Sequence, residues 1–239
     1  MNLPILGGFV EEVGAHLIAD LVILLFGAIA AWMISLRGAW SLVFSVFRLA
    51  RNGVCKIYLN RSEYISRRAI PVEEYIKAAK RDFIYVGLYF SVATDQSRID
   101  NSLIELVKRR CKIGIYLLDE NASDEVFDYL ESFLGFAKYS LRPRARHALE
   151  HFKTLKSSLA PAERDFITIG LHRFPLVTSA FLMDGGEELS RMLVDIKWFG
   201  VGRDKSTGIE FSGSTKANPL FETMRASVMK TVAAAEVAR

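Results

Sequence analysis

Residues 21–36, LVILLFGAIAAWMISL, form a run of sixteen positions without a formal charge, followed at once by Arg37. Extended back to Ala15, the run becomes 22 residues, with His16 and Asp20 near its start. As a helix rising about 1.5 Å per residue it covers roughly 33 Å, close to one hydrocarbon thickness. A helix buried in a globular core is rarely apolar on every side. A cleaved signal carries its positive charge before the apolar run and a small-residue cleavage site after it. Here Glu11, Glu12 and Asp20 come before, Arg37, Arg48, Arg51 and Lys56 come after, and no clear A-x-A site follows. The pattern predicts a single membrane span. The Lys/Arg excess on its C-terminal side predicts that side to be cytoplasmic, with the protein in the cell inner membrane.

Composition supports this partition. The chain is 51% hydrophobic and 24% charged, and the apolar excess is local. Residues 1–36 hold three acids and no Lys or Arg, residues 37–112 carry a net charge of +8, and residues 113–239 carry −1. The two cysteines, Cys55 and Cys111, make no metal-ligand spacing and read as free thiols.

The helical pattern continues past Leu36, because residues 37–51 contain no Pro and one Gly. At 3.6 residues per turn, His16, Asp20, Gly27, Ala31, Ser35, Gly38, Ser41, Ser45 and Asn52 share a broad stripe, with Arg48 at its margin. Gly27, Ala31 and Ser35 form a small-xxx-small series of the kind that lets helices approach closely in lipid. The expectation is a self-associating helix, with Asp20 at one end and Arg37 and Arg48 toward the other as candidates to line a polar path. A plain anchor is the alternative.

Residues 53–70 read as a basic linker, interleaved with Tyr58 and Tyr64 and suited to anionic headgroups. Residues 71–239 read as an α/β domain. Helices are expected over 71–81, 97–110, 124–134, from the end of a basic linker at 141–147 to 159, and from Asn218–Pro219 to 237. Strands are expected over 83–91, 112–120, 166–172, 178–184 and 192–200, with 200–208 as a loop. That alternation predicts a mixed sheet flanked by helices.

The usual catalytic signatures are missing. None of His16, His147, His151 and His172 pairs with a second His or a Cys at metal-ligand spacing, and there is no G-x-S-x-G and no P-loop. No cofactor or metal is expected. Glu187–Glu188 adjoin Gly185–Gly186 and read as a solvated turn.

Residues 171–186, LHRFPLVTSAFLMDGG, carry a resemblance. A strand ending in Asp-Gly at this point in the element order resembles the position of the H-x-K-x4-D motif in phospholipase D-like domains. Counted back from Asp184, the Lys position holds Ser179 and the His position holds Val177. The Gly-Ser usual soon after the motif is absent there, and Ser212-Gly213-Ser214 lies 28 or more residues on, a departure from the pattern. His151-Phe-Lys153 has the H-x-K spacing, but Ser158 stands where Asp is needed. The resemblance spans about residues 70–238 and implies a phospholipase D-like fold without phosphohistidine chemistry, since Val177 cannot attack phosphorus. It implies a phosphate-shaped cleft, with His172, Arg173, Ser179, Ser214 and Lys216 as candidate ligand contacts. Surface packing at a strand end is the competing account of His172 and Arg173.

A short N-terminal span joined to such a domain resembles the membrane effectors of prokaryotic anti-phage systems. The resemblance implies a non-enzymatic sensor of a nucleotide or short oligonucleotide that controls association or opening of its helices. One helix cannot form a pore, so a homo-oligomer is expected, at least a dimer, and a tetramer for a conducting path. The alternatives are a membrane-anchored phosphodiesterase or nuclease using His172 or Ser179, and a passive scaffold.

Overall fold

In a computed structural model of the chain, the residues described are 44–45, 47–61, 63, 72–90, 96–185, 190–200, 205–213 and 218–238. The expected span, with Asp20, Gly27, Ala31, Ser35 and Arg37, lies outside them. Among the described residues no helix is long and apolar enough to cross a membrane. Two compact units are distinguished, Met1–Leu49 and Ala50–Arg239. Arg48 belongs to the first and is exposed within the helical residues 47–51.

The second unit is built on one eight-stranded sheet. Its strands are β1 (Val54–Tyr58), β2 (Asp82–Val86), β3 (Lys112–Leu118), β4 (Ile167–His172), β5 (Thr178–Met183), β6 (Arg191–Ile196), β7 (Thr207–Ser212) and β8 (Glu236–Val237). The helices are α1 (Val72–Lys77), α2 (Gln96–Lys108), α3 (Asp124–Leu134), α4 (Leu141–Ser158), α5 (Pro161–Arg164) and α6 (Pro219–Ala234). The spatial order is β1-β7-β6-β5-β2-β3-β4-β8. β2, β3 and β4 are parallel, and every other pairing is antiparallel. The mixed sheet flanked by helices agrees with the α/β expectation.

The central strands are mostly apolar on both sides because both faces are covered. Phe83, Tyr85, Phe181 and Met183 pack on one face with Tyr75 and Ile76 of α1, Leu103 and Leu106 of α2, and Phe152 and Leu155 of α4. The alternate residues Val86, Ala180 and Leu182 pack on the other face with Phe221 and Val228 of α6. α2 buries Ile99, Leu103, Leu106 and Val107, one stripe at helical spacing. α3 ends at Gly135, whose φ of 67° suits a glycine, and the Phe136 amide turns back to the Glu131 carbonyl. Cys111 is buried, and burial followed by the Asp184 charge pushes its thiol up to about 11. Cys55 is exposed and unpaired.

Several elements differ from the sequence reading. Residues 141–147 are not a linker but the first two turns of α4, because Leu141 and Ala145 are buried and Pro143 falls in the first turn, where its missing N–H costs nothing. The arginines of that turn act as outside anchors: Arg142 bonds Asp124 at 2.7 Å and Arg144 lies 4.9 Å over the Phe136 ring. β1 lies within the basic stretch, with Cys55, Lys56 and Ile57 exposed along it. β7 begins in the expected loop. α6 stops at Ala234, and Glu236–Val237 pair with β4 instead of continuing the helix.

Candidate functional site

Chain direction sets where chemistry can gather. From β2 the sheet grows one way through β3 and β4, and the other way through β5, β6 and β7. The boundary between β2 and β5 is therefore a topological switch point. In open α/β sheets, ligands bind beyond the carboxyl ends of the parallel strands at such a point. Here those ends are Gly87, Asp119 and His172, and the antiparallel strands bring Ser179, Lys197 and Arg61 to the same end of the sheet.

Gly87 is the pivot. A Cβ there would lie 2.3 Å from Tyr85 Oη and 2.8 Å from Ser179 Oγ, so only glycine fits without displacing them. Its carbonyl accepts a hydrogen bond from His172 Nε2 at 3.1 Å. His172 is 1% exposed, its ring stacks on Phe174, and Nδ1 makes no hydrogen bond of ordinary geometry. Burial lowers its pKa, and the backbone of Gly87 and Phe174 and the Asp119 charge do not restore it. Burial thus disfavours the protonated form of this ring.

Next to it, Asp119 accepts the Asn121 amide at 2.9 Å and Arg173 Nε at 2.8 Å. Burial raises the Asp119 pKa, but the Asn121 amide and Arg173 outweigh it and the net shift is downward. Arg173 itself is exposed.

The second half of the cluster lies on β5 and β6. Ser179 stands opposite Asp195 in register. Lys197, two residues further along, projects from the same side and places Nζ 2.7 Å from Ser179 Oγ and 3.8 Å from Asp195 Oδ2. Arg61 Nη1 bonds the same Asp195 oxygen at 2.8 Å. Ser179, Asp195 and Lys197 are 7%, 2% and 7% exposed. The position that the motif assigns to lysine holds Ser179, yet a lysine amine from the neighbouring strand reaches that serine.

Asp184, the motif residue that does match, lies at the opposite end of β5, five residues and about 16 Å away at strand rise. Its carboxylate accepts the amides of Lys80 (3.0 Å), Arg81 (2.7 Å) and Asp82 (3.3 Å). It fixes the start of β2 and takes no part in the strand-end cluster.

Gly87 neighbours both His172, through its carbonyl, and Ser179, but alternation along β4 and β5 turns those two side chains toward opposite faces of the sheet; Arg173 lies on Asp119. Ser214 and Lys216 lie outside the described residues. Sequence reading missed Arg61, Asp119, Asp195 and Lys197. The pattern D-x-K at the end of an otherwise apolar strand, MLVDIKWFG, was the available signal for the last two. His151 lies on α4 and pairs with Asp100 at 2.9 Å. Among the described residues no three His, Cys, Asp or Glu side chains are grouped to hold a metal.

The buried imidazole gives a pH test. A depressed native pKa means the unfolded chain binds more protons, so stability is complete above the unfolded value, about 6.5, and is lost as pH falls below it. The melting temperature of wild type is expected to fall between pH 7 and pH 5. His172→Gln, which retains an N–H for the Gly87 carbonyl, is expected to flatten that slope. An unchanged slope would remove His172 as its source.

Solved structures similar to this chain include the archaeal chromatin protein TrmBL2, described as showing a novel mode of DNA binding. It aligns with a TM-score of 0.45 and 11% identity over 98% of this chain and 70% of that one. Nuc, a phospholipase D family member from Salmonella typhimurium, aligns with a TM-score of 0.46 and 11% identity over 77% of this chain and 97% of that one. Phosphatidylserine synthase from Haemophilus influenzae Rd KW20 aligns with a TM-score of 0.46 and 8% identity over 70% of this chain and 36% of that one. No protein-family model and no curated protein matches the chain. Phospholipase D family members are thus among its structural neighbours, and no residue role passes from them at these identities.

Proposed function

We propose that the domain of residues 50–239 binds a phosphate-bearing ligand, a nucleotide or short oligonucleotide, at this strand end. Binding there controls the association or opening of N-terminal membrane helices, as in an anti-phage effector. One observation carries the reading: the Lys197 ammonium is delivered from β6 to Ser179 beside the switch point. Lysine offers an oxyanion a compact point charge. Ser179, Asp195 and Lys197 are deeply buried, so a phosphate reaching Lys197 must displace packing. That gives the ligand different affinities for two states, the requirement for any ligand-driven switch. On this reading the domain does not turn its ligand over.

Full-length protein in dye-loaded liposomes tests the proposal. Candidate nucleotides are expected to release dye from wild-type vesicles. Lys197→Met is expected to weaken ligand binding about 100-fold, the loss of one well-placed charged contact. Gly27→Leu is expected to abolish release while binding persists. Release without any added ligand in all three proteins would sink the sensor.

A membrane-anchored phosphodiesterase is the second reading. It is favoured by the Ser179–Lys197 contact at 2.7 Å. Turnover of a bis-aryl phosphate that disappears in Ser179→Ala would establish it in place of the first.

A further inference from the structure

A second concavity lies on the α4 side of the sheet. Its volume is about 490 Å³, within the range of roughly 300–1,000 Å³ usual for small-molecule sites. Its floor is aromatic. Phe90 and Phe152 are 5% and 1% exposed and meet edge to face, with centroids 5.4 Å apart at 84°. Tyr89, half-buried, forms a wall. Its rim carries one arginine and two histidines. Arg144, His147 and His151 sit at i, i+3 and i+7 of α4, one face of that helix, and all three line the cavity. Arg144 and His147 are exposed.

Asp100 of α2 faces this rim and bonds His151 Nε2 at 2.9 Å, which fixes that ring. Arg144 is steadied over the Phe136 ring. None of the lining residues belongs to the strand-end cluster. An apolar floor alone would suit any greasy molecule, and a basic rim alone would suit any anion. The two together select a flat ring that carries negative charge. The ring lies against the half-buried Tyr89, above the apolar floor, and the anion takes the planar guanidinium of Arg144 and the N–H of His147.

We infer that this cavity is a second binding site, independent of the strand end, for an aromatic anion of nucleoside monophosphate size. The sequence reading met His151 only as half of an H-x-K coincidence and did not see that α4 lines up three such side chains.

The test titrates AMP, adenosine and inorganic phosphate into full-length protein in detergent, with the histidine rings isotopically labelled and followed by NMR. The chain has four histidines, so the readout is local. The expected result is that AMP moves the His147 and His151 resonances, while adenosine and phosphate each require at least about tenfold more ligand. Arg144→Glu/His147→Glu is expected to weaken AMP binding at least about tenfold, or ~1.4 kcal/mol. Lys230→Glu, a charge reversal at an exposed position of α6, is expected to leave the AMP-induced shifts of His147 and His151 unchanged. Loss of AMP binding in Lys197→Met with none in the α4 pair would overturn this site while leaving the strand-end proposal standing. Equal losses in the α4 pair and Lys230→Glu would reduce the effect to bulk charge and overturn it too. So would failure of AMP to move either imidazole at millimolar concentration.

Discussion

Asp184→Ala is expected to lower the stability of the folded unit by about 3–5 kcal/mol, the scale for stripping a buried charged group from its partners. The carboxylate is 7% exposed and accepts three successive backbone amides, from Lys80, Arg81 and Asp82. Those amides open β2, the strand at the centre of the sheet, and alanine leaves them without this acceptor. The backbone adds to the effect, since Asp184 has φ of 49°, a conformation that Asn tolerates better than Ala. Asp184→Asn keeps one acceptor oxygen and the favourable backbone, so it is expected to cost less than half as much. Denaturant unfolding of the full-length protein followed by circular dichroism measures both. A loss below about 1 kcal/mol in the alanine variant would show that the amides find other partners.

Asp195→Ala is expected to be comparably damaging, by about 3–5 kcal/mol, for the opposite reason. Asp195 is 2% exposed and holds two cations, Arg61 at 2.8 Å and Lys197 at 3.8 Å. Removing the carboxylate leaves like charges in a poorly hydrated place. Arg61→Met in the same chain removes one of them, so the double variant is expected to be more stable than Asp195→Ala alone. Such non-additivity is the signature of residues in one network. The strand-end proposal adds a second readout. Inorganic phosphate is expected to raise the melting temperature of Asp195→Ala more than that of wild type, because the anion takes the vacant position between two cations and stabilises the state that binds it. Strictly additive losses, with no phosphate effect, would dissolve the network.

Legibility followed burial. α3 was read to the residue because its apolar positions recur at helical spacing and Gly135 marks its end. β3 to β6 were visible because apolar residues predominate on both of their faces. β1 was hidden because it is an edge strand, whose outward Cys55, Lys56 and Ile57 meet solvent and give no alternation. β7 was hidden because Gly208 and Glu210 interrupt it, although Glu210 is buried against Arg191 and Tyr58. At the site, counting along one strand found Ser179, and the strand-end position singled out His172. It could not find Arg61, 134 positions from its partner Asp195, or Lys197, 18 positions from Ser179. Such pairings arise from strand order, which no local spacing encodes.

The carboxylate that closes β5 has a bearing on what a string of letters can report. Asp184 falls at the motif's spacing, yet it is tied to the amides that open β2, so the matched letter records how the sheet is fastened and not what gathers at its far end. Lys197 reaches Ser179 from the neighbouring strand. A pattern confined to one strand registers the first of these and passes over the second.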